Sequence, residues 1–268
     1  LPERAIQSFA RILESPATYQ NPKLHCGTLI NLASCYGEMR NYTRALALAH
    51  EGCKIAEANN EFNYAKNGYV ALGLWHLKMG NRDSSLHFFR NGWLMGQRMN
   101  ANERALSDVY INIAQYYIDG QQYDSAAVYL DRVLASHTQN QEGQYLPTTY
   151  LLQGHLFEAT GQLPQALASL ETSIRLGKQM DTPRKVATAL ATMANVLKRM
   201  NRHPEAYAAL LQYRAISDSI NSAERLENLT KLGVLFELEL NDNTEARQRQ
   251  ALAQAAEAGG AVDGATRS

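Results

Sequence analysis

Seven histidines and three cysteines are the side chains here best suited to catalysis or metal binding, and their spacing serves neither. His25, His50, His76, His87, His137, His155 and His203 are scattered along the chain. No HExxH, no GxSxG, no glycine-rich phosphate loop and no paired metal-ligand spacing accompanies them. Cys26, Cys35 and Cys53 cluster near the N-terminus without a CxxC or a histidine at ligand spacing. Cys26 and Cys35 are too far apart on one expected helix to be joined. All three are expected to be small buried thiols between helices. With no converging acid, base or nucleophile, the expected chemistry is recognition, with no catalytic residue, no metal and no cofactor.

An internal repeat must position any recognition surface. Ile113 to Val133 reads as an apolar-periodic helix with Ala114 midway and Tyr117 three residues on. A turn at Asp119–Gly120 follows, then a second helix with Tyr123, Ala126 and Leu130 at helical spacing. The small residue of the first helix recurs at Ala33, Gly73, Ala114, Gly154 and Ala194, in steps of 40, 41, 40 and 40. That of the second helix recurs at Ala5, Ala45, Ser85, Ala126, Ala166 and Ala206, with the same period. A bulky series, Tyr36, His76, Tyr117, Phe157 and Leu197, keeps the same step. Arg40-Asn41, Gly80-Asn81, Gly120, Gly161 and Asn201 mark the turns and are expected to supply the left-handed residue of a helix stop. Pro164 and Pro204 fall at first turns, where a missing N–H costs nothing, so they mark helix starts.

Segments such as LGLWHLKMGNRDSSLHFF and LASCYGEMRNYTRALALA resemble the tetratricopeptide repeat over about Leu1 to Ser219. The usual unit has about 34 residues; these are roughly six longer and are similar to an extended subclass. They lack the family's usual tryptophan and closing proline. The resemblance implies an all-α right-handed superhelix, an α-solenoid of about five and a half helix pairs with a C-terminal helix. Leu1–Ser15 is expected to be the second helix of a truncated repeat, with Ala5, Phe9 and Ile12 inward, and Tyr19–Pro22 a turn. Full repeats are expected at Lys23–Ala58, Phe62–Met99, about Arg104–His137, Leu146–Met180 and Thr182–Ser219, with a polar link at Thr138–Gln144. The expected domains are a solenoid at 1–220, a capping or coiled-coil helix at 221–258 and a flexible tail at 259–268. His76 and His203 fall at the family's aromatic packing positions, which implies roles between helices.

In a stack of helix pairs the first helices line the concave face. By the helical period, its residues lie two before, one after and four to five after each small residue. That places Asn31, Ser34 and Glu38 on the groove, then Ala71, Leu74 and Lys78, then Asn112, Gln115 and Asp119. Leu152, His155 and Glu158 follow, and finally Thr192, Asn195, Lys198 and Arg199. The face is polar, acidic in the middle and basic toward its C-terminal end. Peptide-binding relatives commonly grip a ligand backbone with an Asn two before the small residue; Asn31 and Asn112 match that placement and Ala71 does not. The two-lysine carboxylate clamp of chaperone-binding relatives is absent.

Lys+Arg and Asp+Glu are equal at 26 each, so no global field draws nucleic acid or an acidic substrate. No apolar run is long enough to cross a membrane. The chain starts at Leu1, without Met and in mid-repeat, as expected of a fragment or processed form. Beyond the fifth repeat, Leu226, Leu229, Gly233, Phe236 and Leu240 keep a three–four spacing among charged residues. The run YRAISDSINSAERLENLTKLGVLFELEL is similar to bacterial signalling proteins. In these an extracytoplasmic tetratricopeptide sensor leads through a helix to a membrane span and a histidine kinase or DNA-binding regulator. That resemblance implies a periplasmic location and a homodimer through the C-terminal helix. The alternatives are a static scaffold, monomeric with a partner along the groove, and an intracellular (cytoplasmic) receptor for a signalling peptide.

Overall fold

The computed structural model describes residues 2–137 and 143–222, and within them every regular element is a helix. Two helices, α1 (Pro2–Glu14) and the short α2 (Pro16–Gln20), precede five pairs. The pairs are α3 (Pro22–Glu38) with α4 (Tyr42–Ala58), α5 (Phe62–Lys78) with α6 (Arg82–Arg98), and α7 (Ser107–Asp119) with α8 (Tyr123–Ser136). Then come α9 (Leu146–Ala159) with α10 (Leu163–Gln179), and α11 (Pro183–Arg199) with α12, helical from 203 through 217. Residues 1–217 form one compact unit and 218–268 a second, of which 218–222 are described and are helical. The rest of the expected helix at 221–258, the tail at 259–268 and most of the polar link lie outside the described residues.

The helix stops share one geometry. Arg40, Asn60, Gly80, Asn100, Gln121, Gly161, Asp181 and Asn201 carry φ between +48° and +82°. At each stop the next N–H reaches back to the carbonyl five residues earlier, as Asn41 does to Tyr36 (2.9 Å) and Gln122 to Tyr117 (2.8 Å). A shorter bond nests inside it, such as Gln121 N–H to Ile118 O at 2.9 Å. This double bond pairs carbonyls that a helix end leaves open. One expectation is corrected here: Gly120 has φ −91°, and Gln121 turns left-handed instead. The intra-repeat stop always falls seven residues after the small residue of the first helix, whatever residue type stands there. The expected turn at Tyr19–Pro22 is also displaced, since α2 holds helix through Gln20. The third repeat enters through a 3₁₀ turn at Glu103–Leu106. Pro164 lies in the first turn of α10 and Pro204 in that of α12, as expected.

Each first helix packs on its own second helix and also touches the next first helix, α3 with α5, α5 with α7, α7 with α9 and α9 with α11. Among the described residues the backbones of α4, α6, α8 and α10 stay apart, although side chains bridge α4 and α6, with Arg98 3.4 Å from the Glu57 carboxylate and Phe88 against His50. Contiguous first helices and separated second helices put the first helices on the inner side of the stack's curve.

Packing sets the size of the small residues. Ala33, Ala114 and Ala194 are buried in first helices, as are Ala45, Ser85, Ala126, Ala166 and Ala206 in second helices. A Cβ on Gly73 would lie 2.4 Å from the ring of Phe89, which is itself fully buried. Ala49 and Leu130, four after the second-helix ruler, face alanine at Ala33 and Ala114, whereas Leu170 faces Gly154, on which a Cβ would lie 2.7 Å from it. Aromatic triads join the two helices of a repeat: Phe88 stacks on His76 (5.1 Å) and Tyr69 (6.2 Å), and Tyr129 packs on Tyr117 (5.8 Å) and Tyr110 (5.9 Å). His76 thus takes the expected interhelical role, whereas His203 is exposed at the start of α12.

Candidate peptide-binding face

The middle and C-terminal turns of α7, α9 and α11 carry six of the expected groove residues in hydrogen bonds, Gln115, Asp119, His155, Glu158, Thr192 and Arg199. On α7, the Gln115 amide donates to the Asp119 carboxylate (2.6 Å). His155 on α9 bonds Thr192 on α11, Nε2 to Oγ1, at 3.0 Å. The Thr192 hydroxyl donates its own proton to Thr188 O (3.1 Å), so His155 Nε2 must be the donor, which fixes the neutral tautomer. Burial pushes the His155 pKa down, against the opposing pull of the Asp119 charge. One turn on, Arg199 donates to Glu158 O (2.8 Å) and holds its Nη1 3.9 Å from the Glu158 carboxylate. Burial raises the Glu158 pKa, and Arg199 counters it.

The other expected residues are spread along the face. Asn31, Glu38, Lys78, Asn195 and Lys198 are exposed. Ser34 is half-buried and donates back to Ile30 O (3.0 Å). Asn112 donates its side-chain N–H to Asp108 O on its own helix (2.7 Å). Gripping a peptide backbone through both amide groups therefore requires its χ angles to turn first.

A buried ion pair lies deeper and was not expected. Lys66 of α5 bonds the Asp108 carboxylate of α7 (2.6 Å), with side-chain exposures of 9% and 17%. Lys66 also donates to Ala105 O at 3.4 Å. A signal exists: Lys66 stands seven before Gly73, and the equivalent residues Cys26, Ser107, Pro147 and Ala187 are small or uncharged and buried. A lysine at that register must find an anion.

Cys26 and Cys53 are buried and Cys35 half-buried, and all three are free. Burial raises their thiol pKa values, that of Cys53 to about 12, so a thiolate nucleophile is strongly disfavoured. Among the described residues no group of three His, Cys, Asp or Glu could hold a metal ion. Among them, too, no helix is long and apolar enough to cross a membrane.

No protein-family model matches the chain, and no curated protein matches it significantly. Solved structures do match, and they share its tetratricopeptide-like fold. BtubC (BKLC) from P. vanneervenii superposes with a TM-score of 0.68 at 16% identity, covering 82% of this chain and 92% of that one. The nearly identical TPR-like repeats of a putative kinesin light chain from Podosopora anserina give 0.57 at 15% identity, covering 75% and 98%. Aspartyl phosphate phosphatase F from Bacillus subtilis gives 0.61 at 13% identity, covering 81% of this chain but 54% of that protein.

Proposed function

We propose that the chain is a non-catalytic protein-recognition domain that holds an extended peptide along its first-helix face. The observation that carries this is the polar row on α7, α9 and α11, bonded within α7 and between α9 and α11. Gln115–Asp119, His155–Thr192 and Glu158–Arg199 present fixed donors and acceptors at successive repeats, at the repeat spacing an extended backbone could follow. Asn31, Ser34, Glu38, Lys78 and Asn112 extend the face toward the N-terminal end, and Asn195 and Lys198 complete its basic C-terminal end. The finer proposal places the domain in a bacterial signal-transduction protein as its sensor part, periplasmic, with Leu226–Leu240 passing the signal onward. It rests on the resemblance carried by the run from Tyr213 to Leu240, most of which lies outside the described residues. Exposed Tyr207, Leu210 and Leu211 on α12 also support a further surface there.

An array of synthetic decapeptides of varied charge, read by fluorescence polarisation, tests the first part. Hits should bind the Asn112→Ala and Arg199→Ala variants about tenfold more weakly; unchanged affinity in both would remove the first-helix face as the site. Light scattering with and without 222–268 tests the second. A dimer lost on truncation supports transmission, and a monomer in both states favours a static scaffold.

A further inference from the structure

Because the backbones of α6, α8 and α10 stay apart, the second-helix side carries a cleft at these repeat boundaries. Among the described residues such clefts measure about 400 Å³ between α6 and α8, about 280 Å³ between α8 and α10, and about 510 Å³ where α10, α11 and α12 meet. The first and third are equivalent by the repeat. Ile113 and Met193 sit at the same register in their floors, one residue before Ala114 and Ala194. The walls use the positions five and eight after one second-helix small residue, and three and six after the next. In the α10–α12 cleft those residues are Glu171, Ile174, Ala209 and Gln212, accompanied by Arg175, Lys178 and Glu205, so its charges balance. In the α6–α8 cleft they are Arg90, Trp93, Tyr129 and Arg132, joined by Leu94, and no lining residue is acidic.

The cationic wall is held in place. Tyr129 is fixed by its stack on Tyr117, and the Arg132 guanidinium lies 5.5 Å over the Tyr110 ring and 5.9 Å over that of Tyr129. Glu103 approaches the Tyr110 hydroxyl but does not line the cleft. Leu94 is 46% exposed at the rim. An apolar floor between two guanidinium groups suits one ligand chemistry: a bulky apolar group with carboxylates on either side. The volume falls in the range of ligand pockets, and Trp, Tyr and Arg are the residues that dominate interface energetics.

We propose that the α6–α8 cleft is a second docking site, on the opposite side of the repeats from the first-helix face. It takes an acidic segment of a partner protein that inserts one bulky apolar side chain. That side chain packs on Trp93, Leu94, Ile113 and Tyr129, while its neighbouring carboxylates pair with Arg90 and Arg132.

The probe is a capped synthetic pentapeptide with a central phenylalanine flanked by aspartate and glutamate, titrated by calorimetry into the full chain. Two controls replace the phenylalanine by alanine or all four acids by lysine. The acidic phenylalanine peptide should bind, the alanine version about tenfold more weakly, and the lysine version not at all. Arg90→Gln and Arg132→Gln should each cost about tenfold; both side chains are exposed, so the fold is kept, as a circular-dichroism melt will verify. A Lys198→Gln/Arg199→Gln double variant should bind the probe normally, which separates this site from the first-helix face. The proposal is overturned by no binding at millimolar probe, by equal binding of either control, by full affinity in the doubly substituted Arg90/Arg132 variant, or by loss of binding in the Lys198/Arg199 variant.

Discussion

The Arg82 guanidinium fills the space that a Cβ on Gly120 would need, with Nη2 2.6 Å from that position. From there it donates to Tyr116 O (2.7 Å) and covers the Tyr116 ring at 4.4 Å, so a residue at the start of α6 caps the end of α7. Gly120 is small to admit a neighbour from the preceding repeat, and Gln121 bears the left-handed turn at φ +56°.

Two adjacent substitutions should therefore act in opposite directions. Gly120→Ala displaces Arg82 from its carbonyl and should cost about 1 kcal/mol in urea unfolding, the net worth of a hydrogen bond. Gln121→Gly relieves a left-handed side chain and should add about 0.5–1 kcal/mol. The reverse order would mean that Gly120 is the turn residue after all.

Gly73 and Phe89 share one volume. Gly73→Ala should cost about 2–3 kcal/mol by overpacking a fully buried ring, although three other repeats carry alanine at that register. Adding Phe89→Leu, the residue found at Leu130 opposite Ala114, should recover part of the loss. A double variant whose cost equals the sum of the two single variants would refute the shared volume.

Lys66 and Asp108 stabilise only as a pair. Lys66→Met or Asp108→Leu alone strands a charge among buried neighbours and should cost about 3 kcal/mol. The double variant should lie well above either single one in a chemical-denaturation cycle. Additive losses would show that the two charges are solvated independently.

The histidines packed on Phe88 make the fold sensitive to acid. Burial lowers the His50 and His76 pKa values from 6.5, and the two histidines repel each other's charge at His76. A base that binds its proton less readily when folded contributes full stability above its unfolded value. That contribution falls away as pH drops through 6.5 toward the lower folded values. Tm should therefore decline between pH 7.5 and 5.5. His76→Tyr, the residue at Tyr36 and Tyr117, should keep the stack on Phe88 and shrink that decline; an undiminished decline would place the sensitivity elsewhere, such as the buried His155.

The period was legible because each helix pair must repeat its close approach, which forces a small residue every 40 or 41 positions. Counting was the stronger guide. At the third turn the glycine at Gly120 drew the assignment, while seven residues after Ala114 points to Gln121. The exposed face was also legible from helical period, as Asn31, Glu38, Lys78, Asn195 and Lys198 show. Links between repeats were not. His155–Thr192, Glu158–Arg199 and Lys66–Asp108 join residues 37 to 42 positions apart, and their pairing depends on how one repeat sits on the next. The Arg90–Arg132 cleft was hidden for the same reason.

The separation of the second helices has a mechanical consequence. When a ligand pulls on this unit, the first helices act as a spine of hinges, since each is in contact with the next. The gaps behind α6, α8 and α10 can widen or narrow while the first-helix contacts hold, whereas the Arg98–Glu57 pair and the Phe88 ring tie α6 to α4. The unit is thus softer toward bending than toward stretching along its inner row. Its compliance is set by what fills the gaps: the ring of Phe88 wedged between His50 and His76 stiffens the first boundary, and the open space at Trp93 leaves the next one free to flex.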